Sequence, residues 1–286
     1  LQPEERKRFT FLRIFSPFSF GYLCNMAETK QMSFLQHLDE LRWRLVRVAI
    51  AVILVGIVIW IFQEWIMNHL FLSLKSKDFV TFKLMCRFLG VCVEDTPVKM
   101  QSMTMSGQFN YAMTMCIMGG LIVASPYIFY QIWAFVRPGL KQNELKAAKG
   151  LVFYVSLCFI CGILFGYFVV APLTVQFFAS FQISSSIENN FTISSYMGTI
   201  ISTVFYTGLL FLMPIAIFIL VKIGLIDADF LRKYRRHAIV VILIFAAVIT
   251  PPDILSQIIV SVPIIGLYEI GILVAKRVSK KSELEP

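Results

Sequence analysis

Long runs without a single charged residue set the first constraint on this chain. Residues 48–62, 100–136, 150–187 and 189–221 contain no Asp, Glu, Lys or Arg. A charged side chain at the centre of a bilayer costs roughly 2.5 to 3.5 kcal/mol on insertion scales, and about 20 apolar residues cross as a helix. The runs therefore read as membrane spans at about residues 45–66, 111–136, 151–173 and 196–221. Composition agrees: 58% of the 286 residues are hydrophobic and 15% charged, with a mean hydropathy of +0.76. A soluble fold has too little interior to hide so much apolar surface, so a soluble globular protein is excluded.

The stretch 238–275 is too long for one span and short for two, and Thr250, Pro251, Pro252 and Asp253 interrupt it. Consecutive prolines remove two backbone donors and force the residue before them out of helical geometry. Two short helices joined by a hairpin are expected, at about 238–251 and 254–275. They form either a full crossing or a re-entrant pair, and both return the chain to the side it left. The expected class is an all-α polytopic membrane protein with six helices. Its organisation is an N-terminal extension (1–33), a membrane domain (34–275) and a basic, polar tail (276–286). Pro126, Pro172, Pro214 and Pro263 lie in or at the ends of spans, where proline can kink a helix or is merely common.

Positive residues test this count. Of 26 Lys and Arg, 21 fall in the N-terminal segment, residues 137–149, residues 222–236 and the tail, all on one side of the spans. The other side holds only Lys75, Lys77, Lys83, Arg87 and Lys99, in one long loop that weighs little in the rule. Both termini are expected on the inner side, and the net charge of +9 reports orientation rather than nucleic acid. Arg13 and Pro17 interrupt the apolar stretch 9–24, so a removable signal is not expected there. The loop 63–110 is the one substantial extramembrane piece.

Catalytic signals are missing from the sequence. It has no Gly-x-x-x-x-Gly-Lys-Ser/Thr phosphate cradle, and His37, His69 and His237 stand far apart without metal-ligand spacing. No enzyme activity, cofactor or metal site is expected. Cys158 and Cys161 form a C-x-x-C inside a span and read as small helix residues.

What stands out are acids where burial or topology makes them expensive. Phe34, Leu38, Leu41, Leu45 and Val48 follow steps of four and three, giving one apolar stripe from an interfacial helix into the first span. Glu40 lies off that stripe, four residues before Arg44, and reads either as an ordinary helix ion pair or as part of a binding site. Glu144 follows the second span on the same side. It is either a solvated loop residue or, with Glu40, half of an acidic pocket for a cationic peptide, because a carboxylate accepts bidentate arginine. Asp253 and Glu269 sit in apolar sequence, where an acid either bonds a neighbouring helix or serves transport. On residues alone, a proton-coupled solute transporter relaying through Asp253 and Glu269, or a scaffold for a respiratory complex, are alternatives to a peptide receptor.

Five motifs in order carry a family resemblance. They are His37-Leu38-Asp39-Glu40-Leu41-Arg42-Trp43-Arg44-Leu45, Tyr130-Gln131-Ile132-Trp133-Ala134-Phe135-Val136-Arg137-Pro138-Gly139-Leu140, Gly166-Tyr167-Phe168-Val169-Val170-Ala171-Pro172-Leu173, Thr250-Pro251-Pro252-Asp253-Ile254-Leu255-Ser256-Gln257 and Glu269-Ile270-Gly271. Through them the chain resembles TatC, the multispanning receptor subunit of twin-arginine protein translocases, and most of all its plant mitochondrial members. The resemblance implies six kinked helices in a cupped bundle with both termini inside. It implies binding of twin-arginine signal peptides of folded cargo, with transport driven by the protonmotive force. It also implies small single-span partner subunits, a homo-oligomer in membrane lipid and no nucleic acid. By resemblance Glu40 and Glu144 receive the signal's arginines, with Arg42, Arg44 and Phe135 shaping the surface, and Asp253 and Glu269 serve helix or partner contacts near the final hairpin. The implied location is the mitochondrial inner membrane with both termini in the matrix, or alternatively a bacterial plasma membrane. Two departures stand out: Leu212 replaces a residue that is polar or acidic in many members, and residues 68–75 lack the family's early proline.

Cys86 and Cys92 share the outer loop, where oxidation can pair them. Thiol labelling of the intact protein is expected to rise when reductant is added, and labelling that is the same with and without reductant removes that pairing.

Overall fold

The computed structural model describes residues 34–76, 79–89, 100–139, 150–184, 190–250 and 254–282. Two units divide the chain, Leu1–Asp39 and Glu40–Pro286, and the helical bundle is the second. Helix α1 is Phe34–Ile61, so the apolar stripe read from the sequence lies on one helix. Short α2 (Gln63–Ile66) leads into a π turn at Met67–Phe71 and a 3-10 turn at Leu72–Lys75, followed by α3 (Val80–Leu89). Next come α4 (Gly107–Val136), α5 (Leu151–Phe165), α6 (Ala171–Ser180), α7 (Ile193–Leu210) and α8 (Met213–Lys222). The short α9 (Ala228–Lys233), then α10 (Arg235–Ile249) and α11 (Ile254–Ser282), complete the order.

Among the described residues, five helical stretches are long and apolar enough to cross a membrane: Gln36–Ile61, Gly107–Val136, Leu151–Ser180, Ile193–Lys222 and Ser256–Arg277. The expected fifth span is α10, whose 15 residues rise about 22 Å, short of a hydrocarbon core of about 30 Å. The last two helices are not both short, as the sequence reading had it. Helix α11 runs 29 residues, because its apolar part continues without a breaker into the basic turns after Ala275. The two arms lie side by side: Gln257 Nε2 donates to the Leu243 carbonyl at 3.3 Å, and Arg235 pairs with Glu269. The Pro251-Pro252-Asp253 turn itself is outside the described residues.

Prolines explain where helices break. Pro172 has no N–H for the carbonyl of Phe168, four residues earlier, and a π turn occupies Gly166–Val170 at that point. The Thr81 hydroxyl of α3 donates to the Phe168 carbonyl instead. Pro214 likewise follows the turn at Phe211 and Leu212 that separates α7 from α8. Pro126 and Pro263 stay inside α4 and α11.

The outer loop is bound to the bundle by polar and apolar contacts together. The π turn after α2 ends with its Leu70 and Phe71 carbonyls accepting from Tyr167 (2.9 Å) and Tyr196 (2.6 Å) hydroxyls. Leu74, Phe79 and Phe82 are buried in one cluster with Ala171, Val175, Tyr196, Met197 and Ile200. Met100 and Gln101, just before α4, pair in parallel with Phe191 and Thr192, just before α7, so both segments lie at one end of the bundle. A second cluster joins α8, α10 and α11 through Ile217, Val221, Ile242, Ala246, Val260, Ile264 and Tyr268. Large apolar side chains face outward along the spans, such as Leu45, Ile53 and Ile61 on α1 and Val248 on α10, as expected where lipid is the solvent. Cys86 is disulfide-bonded, while its expected partner Cys92 lies outside the described residues.

Helices meet closely where glycine removes the side chain. A Cβ on Gly120 would lie 2.8 Å from the Val52 carbonyl oxygen, and one on Gly162 would lie 2.8 Å from the Gly208 Cα. Gly120→Val is expected to separate α1 from α4 and lower stability by about 1 to 3 kcal/mol, read as a drop in melting temperature in detergent. Thr81→Val is expected to cost about 1 to 2 kcal/mol by leaving the Phe168 carbonyl without its donor. A melting temperature for Thr81→Val equal to wild type would show that the hydroxyl does not carry that load.

Candidate functional site

Where the N-terminal part of α1 meets the C-terminal part of α4 the sequence places one acid, one arginine and one amide within reach. Glu40 and Arg44 are a turn apart on α1, the spacing at which helical side chains meet. Arg44 donates to Glu40 Oε1 from Nε at 3.0 Å and also from Nη2. The remaining arm crosses to α4, where Arg44 Nη1 donates to Gln131 Oε1 at 3.1 Å. Gln131 in turn donates from Nε2 to the Tyr127 hydroxyl at 2.7 Å, again one turn away. The side chains of Arg44 and Glu40 are 18% and 24% exposed, so this is a semi-buried polar network rather than a solvated surface pair.

One atom in it lacks a donor. Glu40 Oε2 is shielded from solvent and makes no hydrogen bond. A buried carboxylate oxygen without a donor is costly, because desolvation is not offset by a bond. Chemically the arrangement is a carboxylate with one oxygen filled and the other shielded and unpaired. It holds no nucleophile and base pair of the kind covalent catalysis needs.

The structure brings together only part of the expected site. Glu40 and Arg44 are in contact as the helix ion pair that the spacing allows, and the pair extends to a second helix, which a purely local pair would not do. Phe135 is half-buried, one turn beyond Gln131 on the same face of α4, so the Tyr127, Gln131, Phe135 stripe forms one side of the site. Arg42 is exposed and off the network. Glu144 and Asp253 lie outside the described residues.

Glu269 is placed differently from a buried relay acid. Its side chain is 33% exposed and accepts from Arg235 Nε at 2.5 Å, and the neighbouring Tyr268 hydroxyl donates to the Leu231 carbonyl at 2.8 Å. It stands fifteen residues after Ile254, about 22 Å along α11 at 1.5 Å per residue. Glu269 is therefore about midway along α11, not beside the hairpin as the resemblance implied. The apolar residues around it in sequence concealed an arginine supplied by another helix.

Sequence reasoning passed over Gln131, Tyr127 and Arg235. The signal for Gln131 was present: it is the one amide or charged side chain in residues 111–136, and it is 5% exposed. An amide in a charge-free span needs a partner for the same reason an acid does. Tyr127 and Arg235 carried no such mark, since a tyrosine near the end of a span and an arginine in the basic stretch 222–236 are both ordinary.

Comparison with known proteins bears on what such a site serves. The family profile of Sec-independent protein translocase protein (TatC) matches residues 36–263. A TatC protein of Blattabacterium is 36% identical over 263 residues, covering 89% of this chain and 98% of its own. TatCy of Bacillus subtilis is 30% identical over 256 residues, 90% of this chain and 93% of its own. A crystal structure of the twin arginine translocase receptor TatC superposes with a TM-score of 0.62 at 27% identity, covering 85% of this chain and 99% of that one. Match length, the order of the helices and the shared fold agree, and the chain belongs to the TatC family of Sec-independent protein translocase proteins.

Proposed function

We propose that this chain is the receptor subunit of a twin-arginine translocase and that Glu40 accepts an arginine of the signal peptide. The buried, donorless Oε2 of Glu40 carries this reading. A guanidinium offers several N–H donors in one plane and stays charged, so it suits a carboxylate oxygen at a membrane boundary better than an ammonium does. Glu144 is proposed as the second acceptor, with Arg42, Arg44 and Phe135 shaping the surface between them. The chain is a transport component and not an enzyme. It works with small single-span partner subunits and as a homo-oligomer, and the protonmotive force drives passage of folded cargo.

Six crossings with both termini inside, over a membrane domain at 34–275, are the proposed topology. The charge distribution and the side-by-side arms of α10 and α11 support it. Residues 1–33 are proposed as an N-terminal extension and 276–286 as a basic tail. The relatives above are bacterial, and the membrane of residence is proposed as the mitochondrial inner membrane on the wording of the motifs and the 27 phenylalanines. Asp253 is proposed to serve contacts at the hairpin, and Glu269 to fasten α10 to α11 through Arg235. A proton relay between them has less support, because Glu269 is already paired with a cation and lies about 22 Å along the helix from the hairpin.

Binding of a twin-arginine precursor to the purified chain is expected to weaken at least about tenfold in a variant carrying Glu40→Ala and Glu144→Ala, the loss of a charge-assisted contact. Affinity equal to wild type in that variant would remove both acids from the site. Wild type is expected to retain an Arg-Arg precursor in preference to its Lys-Lys counterpart.

A further inference from the structure

We propose that Gln131 and Tyr127 are positioning residues for the receptor carboxylate: they hold Arg44 on one oxygen of Glu40 and so keep the other oxygen unpaired for the signal peptide, which reaches it by displacing what shields it. The inference rests on Glu40 being the acceptor of the signal arginine.

An arginine one turn away from a glutamate has a better option than the one it takes. The favoured geometry places two parallel N–H bonds on the two carboxylate oxygens. Arg44 instead directs both Nε and Nη2 to the single oxygen Oε1. Its third nitrogen, Nη1, is engaged by Gln131 Oε1 at 3.1 Å, across the α1–α4 boundary. Gln131 is 5% exposed, and its amide is oriented from behind by the Nε2 bond to the Tyr127 hydroxyl at 2.7 Å. With the amide nitrogen committed to Tyr127, the amide oxygen faces Arg44 and fixes the guanidinium at both ends. The consequence is the unpaired Oε2.

Without the acceptor on α4, nothing in the network prevents Arg44 from turning to pair both oxygens. Charge would be unchanged and the helices would still pack, yet the carboxylate would be filled by the chain's own arginine. Arg44 is thus an internal competitor for the ligand's guanidinium, and Gln131 with Tyr127 restrains it. The same restraint bears on the choice of arginine over lysine, because a guanidinium brings several planar N–H donors to an unpaired carboxylate oxygen where an ammonium is a point charge.

The test uses the full chain in lipid nanodiscs and two synthetic signal peptides, one with Arg-Arg and one with Lys-Lys at the same positions. Gln131→Leu is expected to weaken Arg-Arg binding about tenfold and to shrink the preference over Lys-Lys, as losing one hydrogen bond to a charged group does. Tyr127→Phe keeps the ring and is expected to act in the same direction with a smaller effect, so it replaces Gln131→Leu if that variant melts early. In an Arg44→Lys background, which has no fork to swing, Gln131→Leu is expected to change binding less than about twofold, since a double-mutant cycle cancels when the shared partner is gone. Wild-type affinity and peptide preference in both Gln131→Leu and Tyr127→Phe overturn the proposal. So does an equal loss with and without Arg44→Lys, which assigns Gln131 to packing alone. Glu40→Gln separates the two levels: if it leaves Arg-Arg binding intact, the acceptor assignment itself fails. If it abolishes binding while Gln131→Leu does nothing, only the positioning role falls.

Discussion

A helix in hydrocarbon has no water to complete its hydrogen bonds, and this shortage organises the whole bundle. Proline and π turns are the places where the backbone itself falls short. At Pro172 the carbonyl that loses its usual donor four residues on is met by Thr81, and at the end of the Met67–Phe71 turn two carbonyls are met by Tyr167 and Tyr196. Each donor comes from a different element from the carbonyl it serves. The outer loop is therefore part of the fold's hydrogen bonding and not a loose cover. Serine and threonine inside the spans solve the same problem locally: Ser156, Thr174, Thr207 and Thr250 each donate to a carbonyl four residues back.

Polar side chains obey the same rule, and the inner end shows it at higher stakes. Arg44, Gln131 and Tyr127 satisfy one another in series across two helices, and Arg235 with Glu269 ties α10 to α11. In such a setting the unpaired Oε2 of Glu40 stands out because nearly every other buried polar atom nearby has a partner. Ser125 Oγ is the other buried side-chain atom without one among the described residues, but a hydroxyl without a bond costs far less than a carboxylate oxygen.

Much of this was legible in the sequence, for reasons that can be stated. Charge-free runs located α1, α4, α5 with α6, and α7 with α8, since the cost of a buried charge depends on composition and not on packing. Helix ends were less legible. The third stretch continues to Ser180 through a proline, because a π turn absorbs the lost bond, and α11 continues beyond its apolar part because nothing after Ala275 breaks a helix. The network around Glu40 was half legible: spacing gave the pair with Arg44, whereas its link to Gln131 depends on how two helices separated by a long loop come into register. The pairing of Glu269 was hidden for the same reason, since Arg235 precedes it by 34 residues.

That register is set well away from the site. Helices α1 and α4 run antiparallel and touch most closely where Gly120 lies against the Val52 carbonyl and Gly56 against the Cys116 carbonyl. From Val52 to Arg44 is eight residues, about 12 Å of rise, and from Gly120 to Gln131 is eleven, about 16 Å. The two positions therefore arrive at nearly the same depth, and the length of an arginine side chain closes the remaining gap to a 3.1 Å bond. A bulkier residue at the glycine contact would part the helices by more than a hydrogen bond tolerates, because such bonds weaken steeply once stretched or tilted. The small residues along the α1–α4 contact and the polar residues at one end of it are thus one device: close backbone approach supplies the precision that the site uses about 12 to 16 Å away.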